Sequence, residues 1–233
     1  MKRSYQAELR QLVAEVIRMG GLAEAQVVDA VDAVVRRDVP LAQALIVRDL
    51  RLDSLQSEVE RRALELIARH NPGEADLRRA ISTLKLAMNL ERCGDLARNI
   101  AKRSLVLSAG EPVLPLTGAI ARLGKLVSSR LRQVLDAYAA LDVEPALNVW
   151  RRDAEVDEHY ESLFRELLHY MSKSPDAVAA GAHLLFVAKN LERIGDHATN
   201  IAEILHFQMT GEELAGDRPK VSLPEVEMEG ARS

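Results

Sequence analysis

Aromatic residues are scarce: Phe, Trp and Tyr make up 3% of the 233 residues, while Leu, Ala and Val dominate. Sheets draw on aromatic and β-branched side chains, so this balance favours helices packed on helices over a sandwich or barrel. Cysteine is nearly absent. With Cys93 alone, no intramolecular disulfide can form, and a reducing compartment is implied. No apolar run approaches the roughly 20 residues of a membrane span, and no signal-peptide pattern opens the chain. Excess positive charge is missing too. A net charge of -4 gives no general attraction to nucleic acid, and no basic recognition helix is present. The chain has no phosphate-binding Gly-rich loop, no Gly-x-Ser-x-Gly and no zinc-type Cys/His set. These absences argue against an enzyme and for a cytosolic helical protein.

What is present is a repeat. Asn89-Leu90-Glu91-Arg92-Cys93-Gly94-Asp95-Leu96-Ala97-Arg98-Asn99-Ile100-Ala101 returns as Asn190-Leu191-Glu192-Arg193-Ile194-Gly195-Asp196-His197-Ala198-Thr199-Asn200-Ile201-Ala202. A recurrence of this length marks an internal duplication. Around it, apolar residues recur at helical spacing. The first helix is expected from Tyr5 to about Val35, continuous through Gly20-Gly21, and the second from about Leu41 to Arg69. Asn71-Pro72-Gly73-Glu74 reads as a cap opening the third, which runs from about Pro72 to Ser108. The second half repeats the trio: about Gly118 to Ala140, Glu144 to Ser172, and Ser174-Pro175 to Met209. The expectation is an all-α chain of two tandem three-helix bundles. Its boundaries are 1–110, 111–212 and a mobile tail over 213–233.

Each copy of the repeat carries Glu-x-x-x-Asp, which places two carboxylates on one helix face. With 35 Asp and Glu in the chain, about five such pairs arise by chance from composition alone. Correspondence is the stronger signal. Asp49/Asp53 matches Asp153/Asp157, and Glu91/Asp95 matches Glu192/Asp196. Asp49, Asp53, Asp153 and Asp157 also interrupt apolar stripes, and buried carboxylates need partners.

Three partners fit. One is a metal ion: oxygen ligands suit Mg, Mn, Ca or Fe, with Zn allowed. Another is arginine, with Arg48, Arg92, Arg151, Arg152 and Arg193 adjacent in sequence. The third is protonation at a raised pKa. Asn99 and Asn200, one turn beyond Asp95 and Asp196, either extend the ligand stripes or bond across helices. Glu203 extends the second stripe, but Lys102 stands at its match. His197 reads as a local contact, Cys93 as apolar packing and Trp150 as core. Gly94 and Gly195 weaken a helix and call for a close neighbour.

The second copy, extended to Glu203, resembles the signature of the PhoU family, and the first copy resembles that family's other copy. Met19 and Asp76-Leu77-Arg78 are similar to it as well, and the likeness spans about residues 4 to 210. Cys93 in place of Ile, and Lys102 against Glu203, depart from the pattern and bear on whether the two sites are equally filled. The resemblance implies two tandem three-helix bundles, often dimeric, in the bacterial cytoplasm. It implies an accessory regulator that damps the phosphate-starvation response, linking the ATPase subunit of the phosphate ABC transporter to a sensor histidine kinase. It implies iron or zinc clusters on the acid-x-x-x-acid motifs, which fall here on Asp49, Asp53, Glu91, Asp95, Asp153, Asp157, Glu192 and Asp196. Contact with nucleic acid is not expected, and the membrane is met only through partners. Rival readings are a metal-storage or metal-dependent hydrolytic helical protein, and a metal-free helical interaction module.

Overall fold

The computed structural model describes residues 2–110, 114–173, 175–216 and 218. The elements are α1 (Lys2–Arg36), α2 (Val39–His70), α3 (Glu74–Ala109), α4 (Leu114–Ala140), α5 (Val143–Arg151), α6 (Ala154–Lys173) and α7 (Val178–Thr210), with a 3₁₀ turn at Pro175–Ala177. Among the described residues there is no strand. No helix among them is long and apolar enough to cross a membrane. Helices α1, α2 and α3 pack on one another, as do α4, α5–α6 and α7, so the all-α architecture of two tandem three-helix bundles is found. The proposed boundary near residue 110 includes 111–113, and these lie outside the described residues. So does most of the proposed tail.

Helix α1 buries Leu9, Leu12, Val16, Met19, Ala23, Val27, Ala30 and Val34, in steps of three and four along one stripe. Such spacing brings neighbouring helices to shallow crossing angles. Helix α4 repeats it with Ile120, Leu123, Val127, Leu131, Val134 and Tyr138. Each fully buried Leu or Val contributes about 1.5–3 kcal/mol. The core is continuous through both halves, because α1 packs on α4 and α3 on α7. Helix α1 runs unbroken through Gly20-Gly21, as the sequence predicts. A β-carbon at Gly20 would lie 2.8 Å from Leu135 Cδ2, and one at Gly124 would lie 2.5 Å from Val31 Cγ2. Gly20 and Gly124 correspond in the repeat, as do Val31 and Leu135. The two bundles therefore meet through a pseudo-twofold exchange of small and large residues.

The duplication extends to the turns. Arg37 and Leu141 both adopt φ 55, ending α1 and α4 in the left-handed turn that closes many helices. Asp38 then caps α2, accepting from Leu41 N at 2.9 Å, and Asp142 caps α5, accepting from Glu144 N at 3.2 Å.

Two local expectations are corrected. Asn71 does not open α3. It closes α2 in the left-handed conformation (φ 42, ψ 64), with its N–H on Ile67 O, and Gly73 precedes α3 without a side-chain cap. Asn tolerates that conformation as few other residues do, so the closing role wins. The fifth expected helix, one run over 144–172, is broken at Arg152–Asp153. There Asp153 N bonds Trp150 O and Val156 N bonds Asp153 O, a tighter spacing than the α-helix. The break swings Asp153 under α7, where its side chain is 5% exposed. At the start of the last helix, the cap expected at Ser174 lies outside the described residues.

Candidate metal centre

Both clusters form where a long repeat helix crosses its neighbour at a glycine. A β-carbon at Gly94 would lie 2.5 Å from Leu52 Cδ1 and 3.0 Å from Asp49 Oδ1. At Gly195 it would lie 3.0 Å from Val156 Cγ1. The close approach anticipated for these glycines is thus present, and it presses the acids of α2 against those of α3, and the acids of the α5–α6 break against α7.

In the first half, Asp49 is fully buried, and Asp53 and Asp95 are half-buried. One carboxylate oxygen from each lies within 4.8 Å of the others. Gln26 Nε2 of α1 donates to Asp49 Oδ1 at 3.0 Å. Arg98 bridges the cluster, pairing with Asp49 Oδ2 and, at 2.8 Å, with Asp95 Oδ1. Asp53 Oδ1 is buried and accepts no hydrogen bond among the described residues. Burial raises the carboxyl pKa of Asp49, against the pull of Arg98 and with the help of Asp53 and Asp95. Glu91 feels the same three acids, and burial again raises its pKa.

In the second half, Asp153, Asp157, Glu192 and Asp196 stand at the matching positions of the repeat. Thr199 Oγ1 donates to Asp153 Oδ1 at 2.8 Å. Lys189 Nζ lies 2.8 Å from Glu192 Oε1, while Glu192 Oε2 is buried without a hydrogen bond among the described residues. Burial is the first cause raising Asp153 and Glu192; Asp196 and Asp157 add to both. Arg218, beyond the end of α7, reaches in. Its Nη1 donates to Asp196 Oδ1 at 2.9 Å, and its Nε lies 3.2 Å from Asp153 Oδ2.

Of the eight sequence-predicted acids, Asp49, Asp53 and Asp95 are brought close enough together to share an ion. The weaker candidates divide. Asn200 bonds across helices, donating to Asn89 Oδ1 at 3.3 Å and accepting from Arg218. Glu203 turns to Trp150, accepting from its indole N–H at 3.0 Å. Asn99 is half-buried one turn past Asp95. His197 does not make the local contact expected of it: its Nδ1 lies 2.9 Å from Asn89 Oδ1 of α3, a contact between the two bundles, and burial lowers its imidazole pKa. Cys93 is buried, its thiol pKa pushed up to about 12 by desolvation. Trp150 packs against the core while partly buried, its indole N–H turned to Glu203.

Of the arginines adjacent in sequence, Arg92 touches the first cluster, at 3.4 Å from Glu91 and 3.3 Å from Asp95. Arg48 pairs with Asp29, Arg151 with Glu144 and Arg152 with Glu155. Arg193 is exposed. Side chains one residue apart on a helix point about 100° apart, whereas residues three apart share a face. Arg98, three residues after Asp95, was the legible partner, while Arg218 carried no signal.

The acidic triad Asp49, Asp53 and Asp95 can hold a metal ion. Oxygens up to 4.8 Å apart match opposite ligands at about 2.1–2.4 Å from a hard cation. An orphaned carboxylate oxygen is the group a cation satisfies. Among the described residues, this triad is the one group of three or more such ligands within that reach.

The PhoU domain model matches twice, at residues 16–104 and 120–205, and so covers both bundles. A phosphate-specific transport system accessory protein PhoU homologue from Caulobacter vibrioides is 59% identical over 221 residues, covering 95% of this chain and 96% of its own. A protein so named from Rhizobium meliloti is 42% identical over 217 residues, covering 93% and 92%. The crystal structure of PhoU from Pseudomonas aeruginosa superposes with TM-score 0.87 at 34% identity, over 89% of this chain and all (100%) of that one. The phosphate transport system regulatory protein PhoU from Streptococcus pneumoniae gives 0.82 at 28%, over 91% and 99%. With both repeats matched and relatives aligned along nearly their whole length, this chain belongs to the PhoU family.

Proposed function

We propose that this protein is a non-enzymatic, cytoplasmic accessory regulator of phosphate uptake. It damps the phosphate-starvation response by joining the ATPase subunit of the phosphate ABC transporter to the phosphate-sensing histidine kinase, and it acts as a homodimer. The observation that carries this reading is 59% identity over 95% of the chain to a phosphate-specific transport accessory protein. In a strain lacking the gene, a phosphate-starvation promoter should be active in phosphate-rich medium. Purified protein should also retain the ATPase subunit. A promoter that stays silent, with no subunit retained, would refute the reading.

In this reading, Asp49, Asp53, Glu91 and Asp95 hold one cation site, and Asp153, Asp157, Glu192 and Asp196 the other. A divalent or trivalent ion there (Fe, Zn, Mn or Mg) supplies charge neutralisation and ties each pair of crossing helices together. It stabilises the fold by linkage, since the unfolded chain has no such site. Elemental analysis of protein purified without a metal-binding tag tests this. Arg98 and Arg218 inside the groups favour a second reading, in which the acids belong to a metal-free interaction module. Zero metal content and a melting temperature indifferent to chelator would select it. Phosphoester turnover by metal-loaded protein, abolished by Asp196→Ala, would instead select a hydrolase.

A further inference from the structure

The face where α3 packs on α7 is laid down twice by the repeat, and its two ends carry different charge. At one end, Lys85 Nζ of α3 lies over the Phe207 ring of α7, 5.6 Å from its centre. Asn89 and Trp150 flank the pair in a groove of about 500 Å³. Helix α7 stops at Gly211, whose φ of 82 turns the chain back with its N–H on Phe207 O. Glu213 and Leu214 then line the same groove. An acid beside an apolar residue thus borders a cation that lies over a ring, and this chain supplies both.

At the other end the cation is Arg103 of α3, over the Phe186 ring of α7 at 4.5 Å. In the repeat, Phe186 corresponds to Lys85 and Val106 to Phe207. Here the apolar side chains are open: Phe186 is 54% exposed and Val106 50%. Lys102 stands where Glu203 stands at the first end, one turn before Val106 on the same side of α3. Arg103 Nη1 lies 3.3 Å from His183 Nδ1. Among the described residues, neither Lys102 nor Arg103 pairs with a carboxylate. Asp95 and Glu192, further along the two helices, are already paired at 2.8 Å with Arg98 and Lys189. A guanidinium lying over a ring keeps donors along its edge for an incoming carboxylate.

We propose that the face formed by Lys102, Arg103, Val106 and Phe186 docks an acidic, apolar segment of a partner protein. A carboxylate of that segment reaches Lys102 and Arg103, and a neighbouring aliphatic side chain covers Val106 and Phe186. Glu213 and Leu214 at the opposite end are the internal precedent for such an occupant. The docking stands on the chemistry of this face and on neither cation site, and it holds whichever protein supplies the segment. Charge steers the encounter and weakens with salt, while the aliphatic contact persists. Binding should therefore need both parts of the segment.

The probe is a fluorescein-labelled peptide of three Glu-Glu-Leu-Ala repeats, titrated with the full chain at low salt while anisotropy is followed. Two control peptides carry Gln for Glu and Ser for Leu. The unaltered protein should bind the probe and lose about tenfold or more in affinity for either control. The double variant Lys102→Glu, Arg103→Glu should lose at least as much. Phe186→Ala, which keeps both charges, should also weaken binding, whereas Lys85→Glu at the other end should leave it unchanged. No binding by the unaltered protein, equal binding by the double variant, or equal binding of the Gln peptide overturns the proposal. So does a probe that is ignored while phosphatidylglycerol vesicles pull down the unaltered protein and not the double variant, which would make the face a membrane contact. A dimer that the double variant alone breaks in size-exclusion chromatography would give the face to a second copy of this chain, and overturns it as well.

Discussion

Gly124 of α4 lies directly against Val31 of α1: a β-carbon there would come within 2.5 Å of one Val31 methyl and 3.2 Å of Val31 Cβ. Val31 is stiff at χ1 and cannot swing aside. Gly124→Ala should therefore cost about 1–3 kcal/mol by overpacking. At Gly20 the obstacle is the far end of Leu135, so Gly20→Ala should cost less. Gly21 has nothing within 4 Å, and Gly21→Ala should stabilise the mid-helix by about 0.5–1 kcal/mol. Denaturant melts of the three variants check this order. A Gly21→Ala loss equal to that of Gly124→Ala would refute the close-approach account.

Arg98→Ala removes the partner of fully buried Asp49. Breaking a buried pair from one side costs about 3–5 kcal/mol. Arg98 is a quarter exposed (25%), so solvent screening places the expected loss at or below the lower end. Divalent cation should restore more stability to this variant than to the unaltered protein, because the metal then meets no competing guanidinium. Thermal melts with and without Mn²⁺ measure the difference.

Burial raises the pKa of Asp49, Glu91, Asp153 and Glu192. Folded protein then holds protons that the unfolded chain has released. Their contribution to stability is full below the unfolded carboxylate range, about pH 4, and is lost as pH rises through the raised folded values. Glu192→Gln carries no such penalty, so the metal-free stability of the unaltered protein relative to this variant should fall as pH rises above about 4. Metal reverses the trend, since it binds the deprotonated groups. A pH series of melts on metal-free protein is the check; a difference that grows with pH would contradict it.

Gly94→Ala would drive a methyl into Leu52 and toward Asp49 Oδ1. Asp49 is the buried member of the triad, so displacing it should weaken cation binding as well as packing. Mn²⁺ affinity should drop about tenfold or more, a ~1.4 kcal/mol effect, with part of the stability restored at saturating Mn²⁺. Gly195→Ala, facing Val156 rather than an acid, should lose stability with a smaller change in affinity. Isothermal titration of both variants separates these outcomes.

The helices, their order and the spacing that puts Asp49 and Asp53 on one helix face were legible because they rest on periodicity and repetition, which survive in one dimension. The break at Arg152–Asp153 was not legible: no Gly or Pro marks it, and burial of Asp153 under α7 imposes it. Asn71 misled because a polar residue before Pro suits either the end of one helix or the start of another. Arg48, Arg151 and Arg152 misled because adjacent positions on a helix point about 100° apart, and they pair with Asp29, Glu144 and Glu155.

By itself, the sequence determined an all-helical chain, its duplication, and which carboxylates share a helix face, since each follows from spacing along the chain. Only the tertiary structure decided which cation stands among them. Arg98 reaches Asp49 from another helix, and Arg218 reaches Asp196 from beyond the last one. The cost of burying like charges is met by whatever opposite charge the fold brings within a few ångströms, and that distance is not written in the order of the residues.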